Sequence, residues 1–399
     1  MPVLSPDSAL STVLAAVPDA RPLRLAAPQA LGLALAEDVI ANDNHPPFPR
    51  AMMDGYAVRL ADAGRTVVLR DEIAAGDTRA HAPLSDGHAH PIMTGAPVPP
   101  GAEAVVAQEQ TIRSTTGVTL PAAIKADANI VAIGGDLAVG STVLSASAVL
   151  NAAGIAALAA LGRDEVLVLP RPRVTVLTTG SELVTNSAPL APGQIRDSNG
   201  PMLVALCAEL GISISRASVP DQPAVLATAL ERLATHDVTI LSGGVSAGAH
   251  DDVPGVLKEL GYTVLVHGVA QKPGKPLLVA RRGRNLLFGL PGNPLASHLC
   301  FCRYVAPALR RMQGRNASPH GGTGALVRAA PTTKDRTWFI PALVTTDDDG
   351  WRILPLPPAS SADLFTAARA NAYLRLEADT PTAIGTRLPF TWIGAHAWL

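Results

Sequence analysis

Residues 242–252 read SGGVSAGAHDD, three glycines and two serines followed at once by two aspartates. A stretch so poor in side chains lets its backbone approach a ligand closely. Backbone N–H groups at a helix start attract anions. Asp251 and Asp252 would repel an anion unless a cation lay between them, so the chemistry suggested is a phosphate-like group with a divalent metal. The same letters also describe a plain strand-to-helix turn whose Asp251 or Asp252 caps the helix. KPGKP (272–276) offers a second device. Its Pro273–Gly274 pair fixes a turn, and the ammonium groups of Lys272 and Lys275 suit one anion; a solvated turn is the plainer alternative. In LPGNP (290–294) and the residues after it, Asn293 and Ser297 sit at another helix start, with Pro294 near the first turn. TTGSEL (178–183) adds Gly180 and Glu182, the latter either a functional acid or a cap for a following helix.

These loops gain meaning from the elements around them. From Arg171 onward, runs such as RVTVLTT, ISISRASV and DVTILS alternate with helical segments GPMLVALCAELG, QPAVLATALERLATH and DVPGVLKELG. Such alternation predicts a mostly parallel sheet covered on both faces. Ligands bind such sheets beyond the carboxyl ends of the strands, which is where TTGSEL, SGGVSAGAHDD and LPGNP fall. The fold class expected is therefore multidomain α/β. A doubly wound, mostly parallel sheet domain spans 171–316. Before it, 1–43 and 137–170 form a helical and extended domain, with helices through ALSTVLAAV, PQALGLALAEDV and the alanine-rich ASAVLNAAGIAALAALG. An inserted β-rich domain occupies 44–136, where GYAVRLA, TVVLRDEI and AEAVVAQEQT are separated by turns. After a linker at 317–331, hairpin signals around DDDG predict a small β-barrel or sandwich, completing a C-terminal domain over 317–399.

Composition narrows the function. Of 399 residues, 48% are hydrophobic and 16% charged, with net charge −1, which supports packed cores rather than disorder. No Lys/Arg cluster with interleaved aromatics is present, so nucleic acid is not expected as a partner. The N-terminus lacks a basic signal-peptide start, and the longest apolar stretch, interrupted by Asn151, reads as a buried or interface helix, so no membrane is expected. Three cysteines, Cys207, Cys300 and Cys302, fit reduced thiols in a cytoplasm. Packing is the role expected of Cys300 and Cys302. His81, His88 and His90 lack the spacing of a zinc site and are expected as exposed loop histidines.

Seven stretches carry a resemblance across most of the chain: AMMDGYAVR (51–59), IMTGAPVPPGAEAVVAQE (92–109), TTGSELV (178–184), PGQIRDSN (192–199), SGGVSAGAHDD, KPGKP and GLPGNPLAS (289–297). Together, in this order and spacing, they resemble the molybdopterin molybdenumtransferases, the bacterial MoeA and gephyrin E-domain family. The resemblance implies four domains, an elongated homodimer and a requirement for Mg²⁺. The implied substrates are adenylated molybdopterin and molybdate, and the implied reaction inserts molybdenum at the dithiolene with release of AMP. It further implies an active cleft between the β-rich domain of one subunit and the α/β domain of the other, and transient contact with an adenylyltransferase and with recipient molybdoenzymes.

By position in these motifs and, for Asp221, in VPDQP (219–223), the resemblance makes Asp54, Thr94, Glu182, Asp221, Asp251, Lys272 and Lys275 catalytic, with Glu182, Asp221 and Asp251 near the metal. It assigns Gly180, Ser242, Gly243, Gly244, Ser246, Gly248, Pro291, Gly292, Asn293, Ser297 and Ser361 to binding the molybdopterin substrate. Asp136 matches a further family acid. Each acid has a plainer reading: Asp54 and Asp136 as turn residues, the others as helix caps. Several positions depart from the family. Ala51 and Met52 stand before the MDGYA run, and Val131 replaces an arginine. Gly135 replaces an acid, Arg196 a tyrosine and Ala362 a histidine, while Gly268 stands where some members carry a lysine. A lost arginine removes an anion contact worth roughly 1.5–3 kcal/mol. An alternative is therefore a non-catalytic carrier or scaffold for molybdopterin or the finished cofactor.

Overall fold

A computed structural model describes residues 3–184, 187, 189–220, 222–244 and 253–394. The chain folds into two compact units, one of residues 1–25, 29–36 and 167–399, the other of 26–28 and 37–166.

The larger unit is built on a six-stranded sheet. Its strands are β1 (Val174–Thr179), β2 (Ile214–Val219), β3 (Val238–Ser242), β4 (Thr263–His267), β5 (Leu278–Arg282) and β6 (Asn285–Leu290). The spatial order is β2-β1-β3-β6-β5-β4. β2, β1, β3 and β6 run parallel, and β5 is antiparallel to both neighbours. Successive side chains of a strand point to opposite faces, and both faces here are apolar. Val176, Ile240 and Phe288 pack on one face with α1 (Asn199–Glu209), α5 (Ala306–Met312) and the N-terminal helix Pro6–Ala16. Leu177, Leu241 and Leu287 pack on the other with α2 (Pro223–Leu233) and α3 (Val253–Glu259). Helix α4 (Pro294–Cys300) runs into α5 through a π-helical turn at Phe301–Val305.

The chain closes with a barrel of β7 (Gly321–Leu326), β8 (Thr337–Asp347), β9 (Gly350–Pro355), β10 (Ala372–Leu376) and β11 (Arg387–Trp392), joined by the two-residue strand Gln271–Lys272. Pairing of β8 with β10 completes the circuit. Its interior holds Ile340, Ile353, Leu374 and Phe390. The expected linker at 317–331 is corrected here, because β7 lies inside it. Its glycines serve close approach rather than flexibility: a Cβ on Gly321 would lie 1.9 Å from the Phe390 carbonyl oxygen.

The smaller unit carries a six-stranded, mostly antiparallel sheet, in the order Ala104–Ala107, Gly55–Val58, His88–Ile92, Thr66–Leu69, Val118–Thr119, Ile112–Arg113. Tyr56, Val67, Val106 and Val118 form its core. Gly55 pairs with Ala107 so closely that a Cβ would stand 2.0 Å from the Val106 oxygen.

Three other expectations are corrected. PQALGLALAEDV is not a helix but a 3-10 turn at Ala27–Ala30 followed by strands Ala34–Leu35 and Val39–Ile40. Gly32 turns the chain at φ 75°, and Leu35 pairs with Val168. The alanine-rich segment does form a helix, Ala152–Ala160, yet only Gly154 and Leu158 on it are buried. The histidines are not all exposed loop residues. His88 and His90 lie on an inner strand, and His90 is buried with Nδ1 2.8 Å from the Asp71 carbonyl oxygen. Cys207 and Cys300 pack in the core as free thiols. Burial pushes the Cys207 and Cys302 thiols up to about 12.

Candidate functional site

β1 and β3 are neighbours, but the chain leaves them toward opposite edges of the sheet, which opens a crevice at their carboxyl ends. The loops there are glycine-based for steric reasons. Gly180 follows β1 at φ 147°, and Gly243 follows Ser242 at φ 97°. A Cβ on Gly243 would approach the Thr179 carbonyl oxygen to 2.7 Å. Gly292 lies beside Gly243 in the loop after β6, with van der Waals room only for a Cβ. The result is a cavity of about 650 Å³ lined by Gly180, Glu182, Ser242, Gly243, Gly244, Pro291, Gly292 and Asn293 among others.

Asn199, the first residue of α1, ties these loops together. Its amide donates to Ser242 Oγ at 2.9 Å and to the Gly292 carbonyl at 2.8 Å. Its own Oδ1, with Thr178 Oγ1 and Thr179 Oγ1, is buried without a hydrogen-bond partner among the described residues. All three residues line the cavity. Buried polar atoms are ordinarily satisfied, so these three are suited to a ligand. Asp197 beside them is committed to the fold: its carboxylate accepts the Gly200 N–H at 2.8 Å and the Arg216 guanidinium. Glu182 is exposed at the rim, its carboxylate folded back beside Gly180. No helix follows TTG; the short strand Leu183–Val184 does, pairing with Ile195–Arg196, so Glu182 is not a cap.

A second cavity of about 360 Å³ adjoins the first, sharing Pro276, Pro291 and Asn293 with it. Lys272, Lys275, Arg336, Trp338 and Ser361 line it, and no carboxylate among the described residues does. Lys272 Nζ stands 4.0 Å above the Trp338 ring, a cation–π placement that restricts the ammonium. Gly274 is required at the turn, since a Cβ would meet Cys300 Sγ at 2.7 Å. Buried Gln271 braces the turn, its amide donating to the Pro273 carbonyl at 3.1 Å while its Oε1 accepts from Tyr304. Asn293 Nδ2 donates to Ser361 Oγ at 2.7 Å and so joins the α4 start to the barrel. Ser297 is fully buried in α4 and lines neither cavity.

In the smaller unit, Asp54 Oδ1 accepts both the N–H and the hydroxyl of Thr94, each at 2.8 Å. These two bonds, the backbone one first, hold the Asp54 carboxyl below its ordinary range. Asp136 pairs with Arg50 at 2.9 Å. Asp221, Asp251, Ser246 and Gly248 lie outside the described residues. Motif reading missed Thr178, Thr179 and Asn199, although TTG and RDSN contain them. Trp338 and Arg336 carry no sequence signal, because they reach the lysines only through the pairing of Gln271–Lys272 with β8.

A doubly wound domain with ligand-sized cavities at its strand ends and a closed barrel attached defines the class of protein. Family models bear on all three regions: the MoeA N-terminal region (domain I and II) matches residues 4–162, a probable molybdopterin binding domain 175–311, and the MoeA C-terminal region (domain IV) 323–390. The chain is 33% identical over 362 residues to the molybdopterin molybdenumtransferase of Staphylococcus epidermidis, covering 88% of this chain and 86% of that protein. It is 34% identical over 364 residues to the molybdopterin molybdenumtransferase of Staphylococcus aureus, covering 89% and 87%. The crystal structure of the molybdopterin biosynthesis MoeA protein from Pyrococcus horikosii superposes with a TM-score of 0.85 at 27% identity over 100% of both chains. The chain belongs to the MoeA family of molybdopterin molybdenumtransferases.

Proposed function

We propose that this protein acts in molybdenum cofactor biosynthesis as a molybdopterin molybdenumtransferase, taking adenylated molybdopterin and molybdate and releasing AMP. The observation that carries the reading is the pair of adjoining cavities, one glycine-lined with polar atoms unpaired among the described residues, the other lined by three cations and, among the described residues, no carboxylate. The first suits a phosphate-bearing substrate, held by backbone N–H groups of the loops at 180, 243–244 and 292 and by Thr178 and Asn199. The second suits a dianion such as molybdate, held by Lys272, Lys275, Arg336 and Ser361. Ser297, buried in α4, is not among these contacts.

Magnesium takes one or two carboxylates with substrate phosphate and water. Exposed Glu182 at the cavity rim fits that donor set, and no cluster of three or more metal-ligating side chains exists among the described residues. Glu182, with Asp221 and Asp251, would hold the ion, which supplies charge neutralisation at the scissile bond. Asp54, kept ionised by Thr94, is the remaining acid of the proposal.

The wider proposal reads the chain as four domains with the boundaries expected from sequence, acting as a cytoplasmic homodimer with transient contacts to an adenylyltransferase and recipient molybdoenzymes. No helix among the described residues is long and apolar enough to cross a membrane. The deciding assay is AMP release from adenylated molybdopterin, with and without molybdate and Mg²⁺. Release dependent on both is expected. Tight pterin binding with no release would replace this reading with the carrier, for which Val131 and Ala362 are the motivating departures.

A further inference from the structure

At the opposite end of the sheet, where β1, β3 and β6 begin, a third cavity of about 520 Å³ is lined by Arg21, Arg171, Arg173 and Arg284, with Asp237 as its single carboxylate among the described residues. No acid among the described residues forms a side-chain ion pair with these guanidiniums. Arg173 donates to the Thr235 carbonyl and Arg284 to the Asp19 carbonyl at 2.7 Å. Arg21 and Arg171 have no partner among the described residues. Asp237 is occupied in part by the backbone N–H of Arg173, at 2.8 Å. Gly32 and Gly211 make room for Arg171, since a Cβ on either would come within 3.2 or 3.3 Å of its guanidinium. Positive charge is dense enough here to act on a neighbour: burial first, then Arg171 and Arg310, hold the Arg315 guanidinium below its ordinary value. The whole chain has net charge −1, so this is a local concentration.

We propose that this cavity is a second anion site, distinct from the one at the carboxyl ends, that takes a ligand bearing vicinal phosphoryl groups. Guanidinium forks match phosphate oxygens bidentately, and four converge from three chain segments. The volume lies in the small-molecule range. Leu23, Pro170 and Met312 supply an apolar lining that a planar base covers if the ligand is a nucleotide. Inorganic polyphosphate and a nucleoside triphosphate share the required chemistry. An extended acidic peptide fits a bounded concavity less well.

Titration calorimetry of the full chain with sodium tripolyphosphate, ATP and hexaglutamate tests this. The variant Lys272→Gln/Lys275→Gln removes the cations of the other site. Adding Arg21→Gln and Arg171→Gln removes guanidiniums that brace nothing, so the melting temperature is expected to stay unchanged; Arg171→Gln alone serves if the fourfold variant folds poorly. Tripolyphosphate should bind the lysine variant at one site and weaken about tenfold or more when the arginines are also replaced. ATP binding as tripolyphosphate does identifies the phosphoryl chain as what is read; tighter ATP binding identifies a nucleotide. Loss of all binding in the lysine variant, or unchanged binding after the arginine replacements, overturns the proposal. Hexaglutamate binding more tightly than tripolyphosphate overturns it in favour of an acidic peptide. Failure of AMP release would leave this proposal standing, because the two sites share no residue.

Discussion

Lys275 and Lys272 line one cavity in different ways. Both are exposed, but Lys272 is held over an indole. Lys275→Gln should therefore lower kcat/KM for AMP release by about 10- to 100-fold, the range for losing one charged contact to a reacting anion, with an unchanged melting temperature. Near-normal turnover would remove Lys275 from the reaction. Trp338→Leu frees Lys272 without removing its charge, and a rise in the apparent KM for molybdate is expected. His298 provides a residue-scale test of the fold. It is buried between α4 and the barrel, with Nδ1 2.7 Å from the Tyr373 hydroxyl, and burial pushes it down to about 4. A histidine kept neutral in the fold binds fewer protons than in the unfolded chain. Stability is therefore complete above pH 6.5 and falls as pH drops from 6.5 toward 4, by roughly 3 kcal/mol at most. In His298→Gln that slope should flatten in denaturant titrations across this window. An unchanged slope would show that His298 is protonated in the native state.

At the scale of elements, the glycines divide by purpose. Those of β7 admit neighbouring strands, while Gly243 admits the end of β1 at Thr179 and Gly274 admits Cys300 of α4. Gly321→Val should cost about 2 kcal/mol or more of stability, because the clash is with the Phe390 backbone, which cannot turn aside as a side chain can. Chemical denaturation would read this as a lower midpoint at constant slope. A composition of GGTG read as a linker in the sequence because the spacing between sheet partners is not a local property. The strand–helix alternation after Arg171, by contrast, was legible. Each strand there is bounded by turn residues, and each helix carries its own period, so local pattern and tertiary role agree. PQALGLALAEDV failed for the converse reason: its helical spacing is real, but Gly32 and the pairing of Leu35 with Val168 prevail.

For the molecule, one carboxylate connects distant parts of the larger unit. Asp7 in the N-terminal helix pairs with Arg375 of β10 and with buried Arg303 of the π-helical turn, whose guanidinium lies 4.7 Å from the Phe339 ring centre on β8. Arg375 first, with Arg303 adding to it, lowers the Asp7 pKa. A lowered carboxyl contributes stability above its unfolded value near 3.8 that is lost as pH falls through the folded value. Asp7→Asn should accordingly melt below the wild type at pH 7, by about 1–2 kcal/mol because Arg303 is left buried and unpaired. The difference should vanish in strong acid. Equal melting at pH 7 would mean the link is solvated.

Sequence alone determined the alternation, the glycine- and lysine-bearing loops and the family that their order specifies, since turn chemistry and hydrophobic period are written locally. Lys272 with Lys275 could be singled out for the same reason, whereas Asp54 and Thr94 were singled out by the resemblance. Tertiary structure decided what depends on residues far apart in the chain. It brought Thr178, Asn199 and Ser242 to one crevice, set Trp338 beneath Lys272, buried His90, and gathered arginines 21, 171, 173 and 284 at the other end of the sheet. No local pattern encodes these groupings, because each is fixed by strand order and register.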